Sequence, residues 1–297
     1  MLAVIIACFL AGTIVRRALL AARSWAPTLD QVVLVVLLPA LILAKLPSAE
    51  LGSAVAVPVG IGWGTLVLSW AAVLVIGRRL HWDRPTVGAV LMTASFGNTS
   101  YLGLGAVEAL LGRDHLPATL AYDQLGNFLP LAVVGGIIVS RWGHGEVRPA
   151  DIARRLFTFA PFLALLATIP LRHWPLPGDV TDGLAQIGRL VSPVAMFTIG
   201  LRFRILRGEH VRQRAAITLG IKMIAMPAAA LAVAVLAGDL DDPAWRASVL
   251  EAGMPPMVTA SVMATQAGLD EELCSFVVGA GLVLAAVSLP LLRLLIG

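Results

Sequence analysis

Phe96-Gly97-Asn98-Thr99-Ser100-Tyr101 interrupts a long apolar stretch, and its reading decides the fold. A second interruption, Gly253-Met254-Pro255-Pro256-Met257, breaks another apolar stretch in the other half of the chain. Asn98 lies thirteen residues after Pro85, and Pro256 lies thirteen after Pro243. Hydrocarbon offers no hydrogen-bond partners, so an unpaired backbone N–H or C=O costs about 2–7 kcal/mol there by transfer estimates. A membrane helix therefore breaks only where the freed groups line a cavity or meet other protein. Breaks at corresponding places in two halves predict a shared cavity at mid-membrane, as in secondary transporters.

Composition agrees with a bilayer environment. Of the 297 residues, 58% are apolar and 13% charged, against about 25% charged in a soluble domain. The formal charge of +4 reports orientation rather than nucleic-acid binding, because the basic residues cluster between apolar runs. Cys8 and Cys274 lie in apolar segments and read as packing residues, with no metal or disulfide spacing. All five histidines fall in connections, which argues against a buried metal centre, and no cofactor is expected. Met1–Val15 is apolar with its arginines after it, the reverse of a secretory signal, so it reads as a retained first span.

The apolar runs predict ten spans, near 1–15, 29–45, 54–76, 85–111, 116–140, 155–170, 184–201, 215–237, 244–267 and 273–295. Fifteen of the twenty-two Lys and Arg fall in connections 1–2, 3–4, 5–6 and 7–8: residues 16, 17, 23, 78, 79, 84, 141, 148, 154, 155, 202, 204, 207, 212 and 214. That side is predicted to be cytoplasmic, with both termini outside a cytoplasmic (inner) membrane. Connection 9–10, Asp270-Glu271-Glu272, has no basic residue and fits the assignment least well. Five spans per half is odd, so the halves must be inverted: 1–140 and 155–297, joined by a cytoplasmic linker at 141–154. Pro39 and Pro193, Pro85 and Pro243, and Pro130 and Pro290 recur in order in the two halves.

The breaks carry the chemistry. Pro255 and Pro256 lack an N–H, so the carbonyls of Glu251 and Ala252 are predicted to lose their partners. A half-helix starting near Pro256 would point the amides of Met257, Val258 and Thr259 into the break. In the first break, Asn98 or Thr99 is placed to cap a half-helix beginning at Ser100. Gly97 and Gly253 are the predicted hinges. Each half-helix start carries about +0.5 charge, so two facing starts predict an anion site without a dedicated arginine. The freed carbonyls opposite would hold water, a proton donor or a cation.

Ionisable groups inside spans cost about 2.5–3.5 kcal/mol at mid-bilayer and mark function or glue. Arg189, Asp123 and Glu108 lie near enough to span ends to reach the interface; Lys222 and Glu251 lie deeper. A carboxylate partner for Lys222 is expected, as glue or as a coupling switch. Asp123, Gln124 and Asn127 form a polar stripe on span 5.

At these residues the chain resembles the auxin efflux carrier family, bacterial relatives of the PIN-type transporters. The resemblance rests on Leu37-Leu38-Pro39-Ala40-Leu41-Ile42-Leu43, Gly97-Asn98-Thr99-Ser100-Tyr101-Leu102-Gly103-Leu104-Gly105, Ser192-Pro193-Val194-Ala195-Met196-Phe197-Thr198-Ile199-Gly200-Leu201 and Met254-Pro255-Pro256-Met257-Val258-Thr259-Ala260. It implies an all-α fold of ten transmembrane helices in two inverted five-helix repeats, with helices 4 and 9 broken and crossing mid-membrane. It further implies a scaffold of spans 1, 2, 6 and 7, a mobile unit of spans 3–5 and 8–10, elevator-like movement and a homodimer through the scaffold. Asn98, Thr99 and Tyr101 would line the site from span 4, and Pro255, Pro256 and their neighbours from span 9. The plant proteins have proline where Gly97 stands, and many bacterial relatives have one where Gly105 stands.

The expected function is secondary transport of a small organic anion, a carboxylate in class. The alternative is a sodium- or proton-coupled cation or bile-acid-type transporter using Glu251 and Asp123. No His-Glu-x-x-His or Gly-x-Ser-x-Gly string points to an enzyme. A passive channel would lack saturable counterflow.

Overall fold

A computed structural model of the chain describes residues 2–19, 24–47, 53–143, 157–158, 160–202, 209–237 and 239–297. Arg23, Arg148, Arg154, Arg155, Arg204 and Arg207, and most of the 141–154 linker, lie outside the described residues.

The fold is all-helical. In the first half run α1 (Leu2–Ala18), α2 (Trp25–Val32), α3 (Leu38–Lys45), α4 (Ser53–Arg79), α5 (Arg84–Ser95), α6 (Leu104–Leu110), α7 (Leu116–Ala121) and α8 (Gly136–Trp142). In the second run α9 (Ala160–Leu171), α10 (Gly178–Gly188), α11 (Val191–Arg202), α12 (Glu209–Gly220), α13 (Met226–Ala237), α14 (Pro243–Ala252), α15 (Val258–Gln266) and α16 (Glu271–Leu295). Four uninterrupted helical stretches among the described residues are long and apolar enough to cross a bilayer: Val55–Arg79, Arg113–Trp142, Val211–Ala237 and Glu271–Leu295. Their outward faces carry Val67, Val75, Leu236, Val287, Leu291 and Leu294, all exposed, as a lipid-facing surface requires. This is an integral membrane protein.

Before three of the helix-interior prolines the helix widens rather than stops, whereas Pro58 and Pro290 sit in ordinary α-helix. The π-helical turns Val33–Leu37, Tyr122–Phe128 and Ile221–Ala225 each end two residues before a proline, at 39, 130 and 227. Proline lacks the N–H and clashes with the carbonyl four residues back, and in each case that carbonyl sits in the wide turn.

The helices pack in two groups. α1 runs against α11, α2 also meets α11, and α3 is flanked by α9 and α10. In the first pair the backbones touch: a Cβ on Gly12 would overlap Phe197 and lie 3.1 Å from Gly200 Cα. The other group gathers α4–α8 and α12–α16 around the two breaks, where Leu91, Met92, Phe96, Leu250 and Met254 are fully buried. Here too glycines allow backbone contact, since a Cβ on Gly62 would lie 2.6 Å from Gly126 Cα. Trp63 Nε1 donates to Leu125 O (3.1 Å) beside that contact.

The acidic stretch at 270–272 has a local cause. Asp270 accepts from Leu273 N–H (3.0 Å) and caps α16, with Glu271 and Glu272 in its first turn, where a helix favours negative charge. Asp270 also takes a 3.4 Å contact from Arg214 Nη1, which donates to Thr86 Oγ1 (2.9 Å). The span expected at 184–201 differs as well. It begins as α10 and bends at Arg189–Leu190, leaving Arg189 exposed at the bend.

Candidate functional site: the crossing of two broken helices

Both predicted breaks exist, and they meet. α5 and α14 start alike, behind Asp83 and Asp242 with a proline in the first turn; α5 ends directly in extended backbone at Phe96, while α14 ends through a helical Gly253 and the chain is extended by Met257. There Gly97 and Pro256 pair as one antiparallel bridge. Asn98 N–H donates to Pro255 O (2.7 Å), and Met257 N–H donates to Phe96 O (2.9 Å). Each break thus satisfies backbone groups of the other, which is how non-helical chain survives at membrane depth.

This pairing corrects several expectations. Met257 N–H is consumed by the crossing rather than left open. Pro256 lies in the bridge, and α15 starts two residues later, at Val258. The first half-helix starts with the π-helical turn Thr99–Gly103, and the Asn98 side chain makes no capping bond to it. Gly97 and Gly253 are not hinges by virtue of unusual angles. Gly253 has ordinary helical φ and ψ of −84° and 0°, and neither has positive φ. They are small because of close neighbours: a Cβ on Gly253 would lie 2.7 Å from Leu292 Cδ2, and one on Gly97 3.2 Å from Lys222 Nζ.

Asn127 clamps the first break. Its Oδ1 accepts from Gly97 N–H (3.1 Å), and its Nδ2 donates to Gly97 O and Thr99 Oγ1, both at 2.8 Å. Asp123 is fully buried, not interfacial. Its Oδ1 accepts from the hydroxyls of Thr99 and Ser100, and its Oδ2 from Gln124 Nε2 (2.6 Å). The protein's own carboxylate thus occupies the amino end of the half-helix leading into α6.

The opposite polarity is treated in kind. Lys222 donates from Nζ to Ala252 O (2.6 Å), at the carboxyl end of α14. Among the described residues no ion pair within 4.0 Å joins it to Glu251. The expected carboxylate partner is therefore replaced by a freed carbonyl, while Glu251 O is taken by Met254 N–H (3.1 Å). Glu108 pairs with Arg113 (2.8 Å) at the far end of α6.

The amides of Val258, Thr259 and Ala260 open α15 and have no helical partners. Beside them lies a cavity of about 10 Å³ lined by Asn98, Ser100, Tyr101, Gln124, Phe128, Met257, Val258 and Thr259. It has room for about one water. Gln124 Oε1 is buried there without a partner. Among the candidates, Thr99, Pro255 and Pro256 build the crossing but do not line this cavity. Phe128 was not anticipated, although it follows Gln124 by one helical turn on the stripe of span 5. Among the described residues no three His, Cys, Asp or Glu side chains converge to hold a metal.

A family model described as membrane transport protein matches residues 1–153 and 154–293. The chain belongs to this family. It is the auxin efflux carrier family to which the motifs pointed, a family of transporters rather than enzymes. An uncharacterized transporter of Methanothermobacter thermautotrophicus is similar, at 29% identity over 279 residues, covering 90% of this chain and 87% of its own. Among the described residues, the crossing is the one place where half-helix ends, buried charges and a cavity coincide.

Proposed function

We propose that this protein is a secondary transporter that carries a small organic anion, a carboxylate in class, across the cytoplasmic membrane. The observation that carries the reading is the amino end of α15, which borders a small buried cavity at the crossing whose mostly apolar lining is punctuated by Asn98, Ser100, Gln124 and Thr259. Backbone amides and a helix dipole there favour negative charge. Since Asp123 fills the other amino end, the α15 end is the one left for substrate, with Asn98, Ser100 and Thr259 beside it.

The cavity is too small for any organic anion, so its lining must separate during transport. Ten spans in two inverted repeats, 1–140 and 155–297, supply the means. Spans 1, 2, 6 and 7 form a scaffold and dimer interface; spans 3–5 and 8–10 move as an elevator carrying the crossing. An apolar cavity of about 280 Å³ between α1 and α11 on one side and α6 and α16 on the other, lined by Phe9, Leu102, Met196 and Leu289 among others, favours sliding at that boundary. Both termini lie outside.

Thermal shift of the purified protein with a panel of carboxylates and amines tests the reading. Stabilisation by carboxylates that Asn98→Ala abolishes is expected; stabilisation by amines alone would overturn it. A cation-carrier reading draws on the buried Asp123 and Glu251, and sodium-dependent flux abolished by Glu251→Gln would favour it.

A further inference from the structure

Two carboxylates sit in the core of the crossing, and their surroundings differ. Asp123 accepts three side-chain hydrogen bonds. Glu251, at 0% exposure, has neither carboxylate oxygen within hydrogen-bonding distance of any partner. It lies one turn before Pro255 on α14 and packs against Gly103, where an added Cβ would overlap its carboxylate. Three titratable side chains face it: Asp123 and Tyr122 from one side and Lys222 from another.

The helices packed around α14 bring other charges only at their ends. These are Arg78 and Arg79 on α4, Glu108 on α6, and Glu271, Glu272 and Arg293 on α16. α7 and α13 bring none, and Arg113, Asp114 and His115 lie by the first turn of α14.

We propose that Glu251 is a proton-binding site that couples anion movement to proton movement. The carboxylate takes one proton from water on the side where the anion enters, forming the O–H bond of a carboxylic acid. It returns that proton to water on the side where the anion leaves. This rests on the anion-carrier reading of the crossing.

Charge balance gives the reason for coupling. With Asp123 and Glu251 ionised and Lys222 charged, the crossing holds one net negative charge before any substrate arrives. An uncompensated charge at that depth is costly. A proton on Glu251 makes the crossing neutral, so the arriving carboxylate and the proton favour one another reciprocally. Lys222 faces Glu251 but donates its hydrogen bond to Ala252 O, and its single positive charge leaves the two carboxylates one short.

The occupant of Glu251 is a proton rather than a metal ion for a geometric reason. A metal cation requires several oxygen ligands converging on it. Neither Glu251 carboxylate oxygen has a hydrogen-bond partner, Gly103 closes on it, and among the described residues no three His, Cys, Asp or Glu side chains converge to hold a metal. A proton needs neither ligands nor volume. Paired carboxylates in contrasting environments are the usual sign of divided ionisation roles.

Infrared difference spectra between low and high pH test the site without a substrate. The wild type is expected to show the carbonyl stretch of a buried carboxylic acid. Glu251→Gln is expected to lose that band, while Glu251→Asp, which keeps a carboxyl, retains one. A band unchanged in Glu251→Gln overturns the proposal, and the Asp variant separates loss of the proton from loss of the fold.

Succinate flux in proteoliposomes containing a pH dye tests the coupling. With the membrane potential clamped at zero, wild-type succinate entry is expected to acidify the lumen and to accumulate about tenfold per pH unit of gradient for one proton. Glu251→Gln is expected to fall to simple equilibration. If Glu251→Gln still follows the gradient, this inference fails and the anion reading stands. If the wild type moves amines and no carboxylate, the anion reading itself fails and the coupling with it.

Discussion

Replacing Asn127 by alanine tests how the crossing is held. The side chain makes three bonds to the first break: one to Gly97 N–H, one to Gly97 O and one to Thr99 Oγ1. Thr99 keeps its bond to Asp123 in the variant, but both polar groups of the Gly97 backbone lose their partner. A buried orphaned group costs about 1–3 kcal/mol, so Asn127→Ala is worth about 2–6 kcal/mol. Water entering the vacated space sets the lower end. At about 2–4 °C per kcal/mol for chains approaching this size, the melting temperature in detergent falls by about 4–24 °C. Intrinsic tryptophan fluorescence on heating reads this directly. Asn127→Asp keeps the acceptor for Gly97 N–H, loses both donations and places a second carboxylate near Asp123, so it is expected to melt lower still. A fall of less than about 2 °C in Asn127→Ala refutes the clamp.

Four further outcomes follow from the same structure. Gly62→Val drives a side chain into the Gly126 backbone and costs at least about 1–3 kcal/mol, seen as lost monodisperse protein on size exclusion. Gly60→Ala, where nothing lies within 4 Å, is tolerated. Lys222→Met leaves Ala252 O without its donor and removes the positive charge that offsets Asp123 and Glu251, so it is expected to lower carboxylate exchange while the protein still purifies; undiminished exchange would contradict the charge balance drawn for the crossing. Arg214→Ala removes the contacts to Thr86 and Asp270 and costs about 1 kcal/mol, a loss that shrinks at high salt in thermal melts. In cells carrying a chain without Cys8 and Cys274, an impermeant thiol reagent is expected to label Trp174→Cys but not His81→Cys, and the reverse pattern would invert the topology.

Much of this site was legible from the chain because glycine and proline punctuate it. Pro255-Pro256 and Gly97-Asn98 cannot continue a helix without loss, so both breaks could be located to within a residue or two. Their mutual pairing was not legible. The bridge between Gly97 and Pro256 depends on two segments far apart in sequence, and it uses an amide, that of Met257, that local reasoning leaves free. The partner of Lys222 was missed for a similar reason, because a carbonyl freed by a distant break can accept the ammonium's hydrogen bond in place of a carboxylate. Asp123 looked interfacial from its position near a span end, yet it is buried because Thr99, Ser100 and Gln124 converge on it. The widened turns before Pro39, Pro130 and Pro227 had a visible cause but no visible remedy, since a helix meets a proline by kinking, widening or ending. Gly12 and Gly62 gave no local sign of what they touch, because close approach of two backbones is a property of the pair.

The most direct test is charge discrimination in counterflow. Proteoliposomes loaded with an unlabelled carboxylate and given its labelled form outside are compared with vesicles given the neutral amide of the same shape, for the wild type and Asn98→Ala. The account predicts saturable exchange of the carboxylate alone, lost in Asn98→Ala. Equal movement of the amide, or Asn98→Ala exchanging as fast as the wild type, would contradict it.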